Sequence, residues 1–131
     1  MFEAISATIA SNISGFPEIV HIEYDLSTLR LNCSFGDSHA PIYLEFTNVE
    51  GFRVLDEGQL CTFWSSEPRA SGWLWDVKAG GWFALESTRS DFILGLTSSI
   101  GNELRDFIVL GINDCVNVLT WDQPRIQLAE P

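Results

Sequence analysis

Basic residues are scarce in this sequence: seven Lys and Arg stand against eighteen Asp and Glu, for a formal charge of −11. Such an imbalance sets up a negative field that repels nucleic acid, anionic lipid and phosphorylated ligands. Long hydrophobic runs are also missing. Apolar stretches such as residues 107–112 fall far short of the roughly 20 residues that a helix needs to cross a bilayer. The first sixteen residues hold neither Lys nor Arg, and Glu3 stands where a secretory signal needs positive charge. A cytoplasmic setting without a membrane span is therefore expected. Cys33, Cys61 and Cys115 make no CxxC pair and sit in apolar patterns, so they read as reduced core residues.

Catalytic motifs are equally sparse. His21 and His39 show no HxxxH or HxH spacing for a metal, and no cofactor motif is present. His21 lies two residues from Glu23, a general-base pair if both lined a cleft, but strand alternation puts both on a wet face. There is no G-x-S-x-G elbow and no G-x-x-x-x-G-K loop. Neither Cys33 nor Cys115 has the cationic neighbourhood that a thiolate nucleophile requires. Paired acids such as Asp56 and Glu57 keep a small carboxylate-dependent enzyme open as an alternative, beside a ligand-binding or structural β-protein.

What is present is a strand grammar. The 131 residues suit one domain, and 46% hydrophobic against 19% charged residues is the balance of a globular chain. Phe2, Ile5, Ile9 and Ile13 recur at helical spacing ahead of Gly15, giving a helix over 1–15 whose Ser and Thr lower its propensity. After Pro17 the period changes. Val20, Ile22 and Tyr24 alternate with His21 and Glu23, then Leu29, Leu31, Cys33 and Phe35 alternate with Arg30, Asn32 and Ser34. With Ile42, Leu44 and Phe46 following a polar turn, these make an antiparallel meander.

Residues 49–55 continue extended past a bulge signal at Glu50-Gly51. Asp56 is placed to cap a short helix with Leu60, Phe63 and Trp64 on one face, and 65–72 reads as a loop. Lys78-Ala79-Gly80-Gly81 predicts a hairpin joining 73–77 to 82–86. Residues 98–105 form a turn or a short helix. The run 107–112, apolar on both faces, suits a central strand covered on both sides. Residues 115–121 give the last long strand, and Pro124 opens an edge-like tail. The resulting expectation is an α+β, mainly β domain over 1–131. It has a β-rich core over 17–128, an antiparallel sheet of about six to eight strands, and one or two short helices. Its predicted core includes Val20, Ile22, Leu31, Cys33, Leu44, Phe46, Val109, Val116 and Val118.

Tryptophan is the sharper feature. Trp64, Trp73, Trp75 and Trp82 fall close together and interleave with Glu67, Asp76 and Glu86. Trp73 and Trp75 share a strand face, and at least two of the four indoles are assigned to the core. The remainder, rimmed by carboxylates, suits a basic protein partner, because tryptophan is enriched at interface hot spots. The candidate partner-binding set is Asp56, Glu57, Trp64, Glu67, Trp73, Asp76, Trp82 and Glu86, with no catalytic, cofactor or metal residue assigned.

Three segments also carry a resemblance. YLEFTNVEGFRVLDEGQLCTFW over 43–64, SGWLWDVKAGGWFALE over 71–86 and DFIVLGINDCVNVLTW over 106–121 together look like a family of small proteobacterial proteins. Some of its members resemble immunity proteins of contact-dependent growth inhibition and related polymorphic toxin systems. The likeness spans about residues 17–121, and its motifs are structural rather than catalytic. It implies a cytoplasmic bacterial protein that binds one cognate toxin domain, commonly a basic nuclease, and occludes its active or substrate-binding surface. Carboxylates facing such a domain would mimic phosphate and steer association. Contact surfaces vary widely among such proteins, so the motif transfers no contact residue.

Overall fold

The computed structural model describes residues 3–56, 72–88, 104–112 and 114–129. Among them nine strands build two antiparallel sheets, as the alternation requires. In chain order they are β1 (Glu3–Ser6), a 3-10 turn (Thr8–Ala10), β2 (Glu18–Tyr24), β3 (Leu29–Ser34), β4 (Ile42–Phe46) and β5 (Val49–Asp56). β6 (Leu74–Ala79), a one-turn helix α1 (Trp82–Glu86), β7 (Arg105–Leu110), β8 (Asp114–Thr120) and β9 (Arg125–Leu128) follow. The larger sheet runs β1-β6-β7-β8-β5 and the smaller β2-β3-β4-β9.

The main core lies between the sheets. Leu29, Leu31 and Cys33 of β3 and Ile42, Leu44 and Phe46 of β4 meet Phe107, Val109, Val116 and Val118 of β7 and β8. Phe46 and Phe107 lie 5.7 Å apart between ring centroids, and Phe35 meets Trp73 edge-on at 5.3 Å. Each such side chain contributes about 1.5–3 kcal/mol by leaving water. The opposite face of the larger sheet buries a second cluster, Trp75, Val77, Ile108, Leu110 and Cys115, with Ala4 and Phe16 against it. β7 is therefore apolar on both faces because both are covered, as its unbroken hydrophobic run requires. Burial pushes the Cys33 thiol up to about 12, leaving it protonated at neutral pH.

Three expectations are corrected. Residues 1–15 are not a helix: Glu3–Ser6 pairs antiparallel with β6, which otherwise would leave a sheet edge open, and tertiary pairing overrides a helical spacing already weakened by Ser and Thr. Residues 82–86 are not the return strand of a hairpin but α1, so none of the nine strands comes from that segment. The Gly80–Gly81 turn carries the chain over the sheet. A Cβ at Gly81 would lie 2.6 Å from a Val77 methyl and 2.7 Å from Asp106 Oδ2, so this close approach needs glycine. Finally, Val20 is 50% exposed. A bulge sets Ile19 opposite Cys33 and Ile22 opposite Leu31, so the inward phase of β2 moves from Val20 to Ile19. Ile22 is half-buried against the core, and the remaining seven predicted core residues are buried.

Candidate functional site

Charge is distributed unevenly between interior and surface. Five basic residues fall among those described, and each is held near one of three buried carboxylates. Glu45, 3% exposed, sits in register between Arg30 of β3 and Arg125 of β9. Its Oε2 accepts from Arg30 Nε at 2.7 Å and its Oε1 pairs with Arg125 at 3.0 Å. Glu45 is the main cause that raises the Arg30 pKa. Asp76 Oδ2 pairs with Lys78 at 3.0 Å and with Arg105 at 2.8 Å. Arg69 and Arg89 lie outside the described residues.

The third carboxylate, Asp106, reaches Arg53 through an amide relay. Arg53 donates twice to Asn117 Oδ1, at 3.2 and 2.9 Å, and Asn117 Nδ2 donates to Asp106 Oδ1 at 2.8 Å. Asp106 Oδ2 accepts the Phe83 backbone N–H at 3.0 Å. The residue preceding α1, Gly81, has no capping side chain, so Asp106 performs that duty from a neighbouring strand. Burial raises the Asp106 pKa, opposed by these hydrogen bonds and by the Arg53 charge. The Arg53 guanidinium lies 4.7 Å from the Trp82 ring centroid, and Trp82 Nε1 donates to Glu86 at 3.0 Å. Beside this network runs a groove of about 920 Å³, whose lining includes Gly81, Phe83, Leu104, Arg105, Asp106 and Trp121.

Outside these clusters the carboxylates of Glu18, Asp25, Asp37, Glu50, Asp114 and Asp122 are exposed, and so is Glu23, which lies 4.0 Å from Arg30. Three of them, Asp25, Glu50 and Asp122, gather at one end, where the β2–β3 turn, the β4–β5 turn and the segment after β8 meet. The three segments are tied together. Val49 N–H donates to Ser27 O at 3.1 Å, and Trp121 N–H donates to Asn48 O at 3.1 Å. Asp122 Oδ2 accepts from Thr47 Oγ1 at 2.9 Å and Asn48 Nδ2 at 2.6 Å. Trp121 Nε1 donates to Glu50 at 2.8 Å, fixing the indole. Asp25 Oδ1 accepts the N–H groups of Thr28 and Ser27, which hold its pKa below the usual value.

Leu26 stands on this end with 83% of its surface exposed and a φ of +78°. A left-handed backbone costs a non-glycine residue about 1–2 kcal/mol. Asn48, the other such residue described, has φ +54° and a side chain that tolerates it. A hollow of about 400 Å³ lies between the turns, lined by Leu26, Ser27, Asn48, Val49, Glu50, Trp121 and Asp122. Its lining holds two carboxylates and, among the described residues, no base.

The residues singled out from the sequence separate into three groups. Glu57, Trp64 and Glu67, with the short helix expected after Asp56, lie outside the described residues; Asp56 itself closes β5 opposite Asp114. Trp73 fills the core between the sheets at 1% exposure, its Nε1 donating to Ile13 O at 3.2 Å, whereas Trp75 is buried in the cluster on the other face of the larger sheet. The two indoles do not share a face as expected, because Trp73 precedes β6 and escapes its alternation. Asp76 is buried between two bases, while Trp82 and Glu86 are brought together, half-buried, on α1. Sequence reasoning passed over Leu26, Glu50, Trp121 and Asp122. The available signal was a leucine in a four-residue turn that otherwise reads Asp, Ser and Thr.

Among the described residues no three His, Cys, Asp or Glu side chains converge as a metal site, and no helix is long and apolar enough to cross a membrane. Compared with protein-family models, with curated proteins and with solved structures, the chain matches none of them.

Proposed function

We propose that this chain is a binding module that neutralises a basic, nuclease-type toxin domain by covering its active or substrate-binding surface, as an immunity protein of a polymorphic toxin system does in the bacterial cytoplasm. The supporting observation is the partition of charge. Arg30, Arg125, Lys78 and Arg105 pair with the buried carboxylates of Glu45 and Asp76, and Arg53 is held by the Asn117 amide beside Asp106, which leaves the exposed acids to dominate the field seen by an approaching molecule. Such a field accelerates encounter with a cationic surface and weakens as salt screens it. The hydrogen-bonded turn end offers rigid carboxylates that need little ordering on contact.

On this reading a toxin gene is expected beside this one, and the test is co-expression with the nuclease domain that such a gene encodes. Restored growth, a complex that co-purifies, and association that slows about tenfold from low to high ionic strength are the expected results. Growth arrest unrelieved by the chain, with no complex formed, sinks the reading. A carboxylate-dependent enzyme is the second reading, and Asp106 is the observation in its favour: a buried acid of raised pKa beside a large groove. Both of its oxygens already accept hydrogen bonds within the fold, which favours a structural duty. Turnover of any substrate that is lost in Asp106→Asn while α1 stays docked would reinstate catalysis.

A further inference from the structure

We infer that the three-turn end, centred on Leu26 and bounded by Trp121, Asp25, Glu50 and Asp122, is the surface that docks a protein segment presenting one apolar side chain flanked by Lys or Arg. The inference rests on the binding-module reading above and names its contact surface. Leu26 is the key. Glycine would hold this turn without strain, yet the position carries a leucine whose side chain contributes little to the core and faces water. What sets Leu26 apart from the other exposed apolar residues is its place: a left-handed backbone holds it in water on the wall of a hollow that Glu50, Trp121 and Asp122 also line.

Charge selects the occupant. The hollow beside Leu26 is lined by Glu50 and Asp122, and Asp25, its carboxyl held ionised by two backbone N–H groups, is the next residue. A second copy of this chain meeting its own turn end would set the same three acids against each other, since a two-fold contact repeats one patch on both sides. Nucleic acid meets the same repulsion. A segment with a leucine or phenylalanine between basic residues satisfies both parts: its apolar group covers Leu26 and the Trp121 ring, and its cations face the carboxylates. The Trp121–Glu50 bond fixes the indole before the partner arrives, so little order remains to be imposed.

The probe is a synthetic peptide, Gly-Lys-Arg-Leu-Arg-Lys-Gly, titrated into isotopically labelled protein and followed by NMR. Two controls replace its leucine by serine or its four bases by glutamate. The inference expects shifts concentrated at the amides of residues 25–27, 48–50 and 121–122 and at the Trp121 indole N–H. Leu26→Gly relieves the backbone strain, so it threatens folding less than most changes; it should weaken binding about tenfold. Glu50→Gln, which keeps an acceptor for the indole, should weaken it about threefold and flatten the salt dependence. Equal binding of the serine peptide, shifts spread evenly to Glu18, Asp37 and Asp114, self-association through this end, or no shift at millimolar peptide each overturn the inference. Those outcomes leave the binding-module reading intact if co-expression restores growth; failure of that assay removes the reading whatever the peptide does.

Discussion

Asp106 and Asp25 both accept backbone N–H bonds, yet they sit in opposite kinds of surroundings and their acidities move in opposite directions. At Asp106 desolvation outweighs the hydrogen bonds and a nearby guanidinium. At Asp25 water is at hand, desolvation is small, and the N–H groups of Thr28 and Ser27 prevail. One region spends its carboxylates on joining elements: Asp106 holds α1 to the larger sheet, and Glu45 joins β3, β4 and β9. The other displays them. The contrast teaches that the total charge of this chain says little about its surface until the buried acids and the bases they hold are set apart.

The comparison is broken most severely at its buried side. Asp106→Asn cannot satisfy Phe83, Asn117 and Arg53 together. An amide that presents oxygen to Phe83 turns its NH₂ on the Asn117 amide, and flipping Asn117 to accept it takes the acceptor from Arg53. A loss of about 2–3 kcal/mol is expected, measured by urea unfolding. Glu45→Gln should cost less, about 1–2 kcal/mol, because Arg30 and Arg125 are both substantially exposed and recover hydration.

Acidity sharpens the comparison further. Asp25 has a lowered folded pKa, so its contribution is present above the ordinary aspartate value of about 3.9 and is lost as pH falls through the folded value. Asp106 has a raised one, so its contribution is complete below about 3.9 and is lost as pH rises through the folded value. Stability measured against pH should therefore show the gap between wild type and Asp25→Asn widening as pH rises through the Asp25 range. The gap for Asp106→Asn should narrow as pH rises through its range. Parallel curves for the two variants would contradict the opposed shifts. The smallest effect is expected at the displayed end: Leu26→Gly should change stability by no more than about 0.5 kcal/mol, since relief of the left-handed backbone offsets the entropy of glycine.

Much of the fold was legible because period-two patterning is a direct consequence of a half-wet sheet. The β2–β3–β4 meander, the bulge near Gly51 and the doubly covered β7 all follow from it. What escaped was non-local. β1 forms because β6 offers it an edge, and α1 forms where a carboxylate on β7 caps it. The site was less legible still. Asp76 and Glu45 look like ordinary surface acids until register sets bases beside them, and Trp73 looks like an interface anchor until the sheets close over it. Leu26 could be placed in a turn, but neither its φ nor its exposure is written in alternation.

Arg125 belongs to β9, a four-residue strand at the outer margin of the smaller sheet, yet its guanidinium serves a carboxylate one strand further in. The margin is thus electrically stitched to the interior. A chain cut before Arg125 would lose one flanking strand and also leave Glu45 half-compensated, so trimming at this border should be felt by β3 as well as β4.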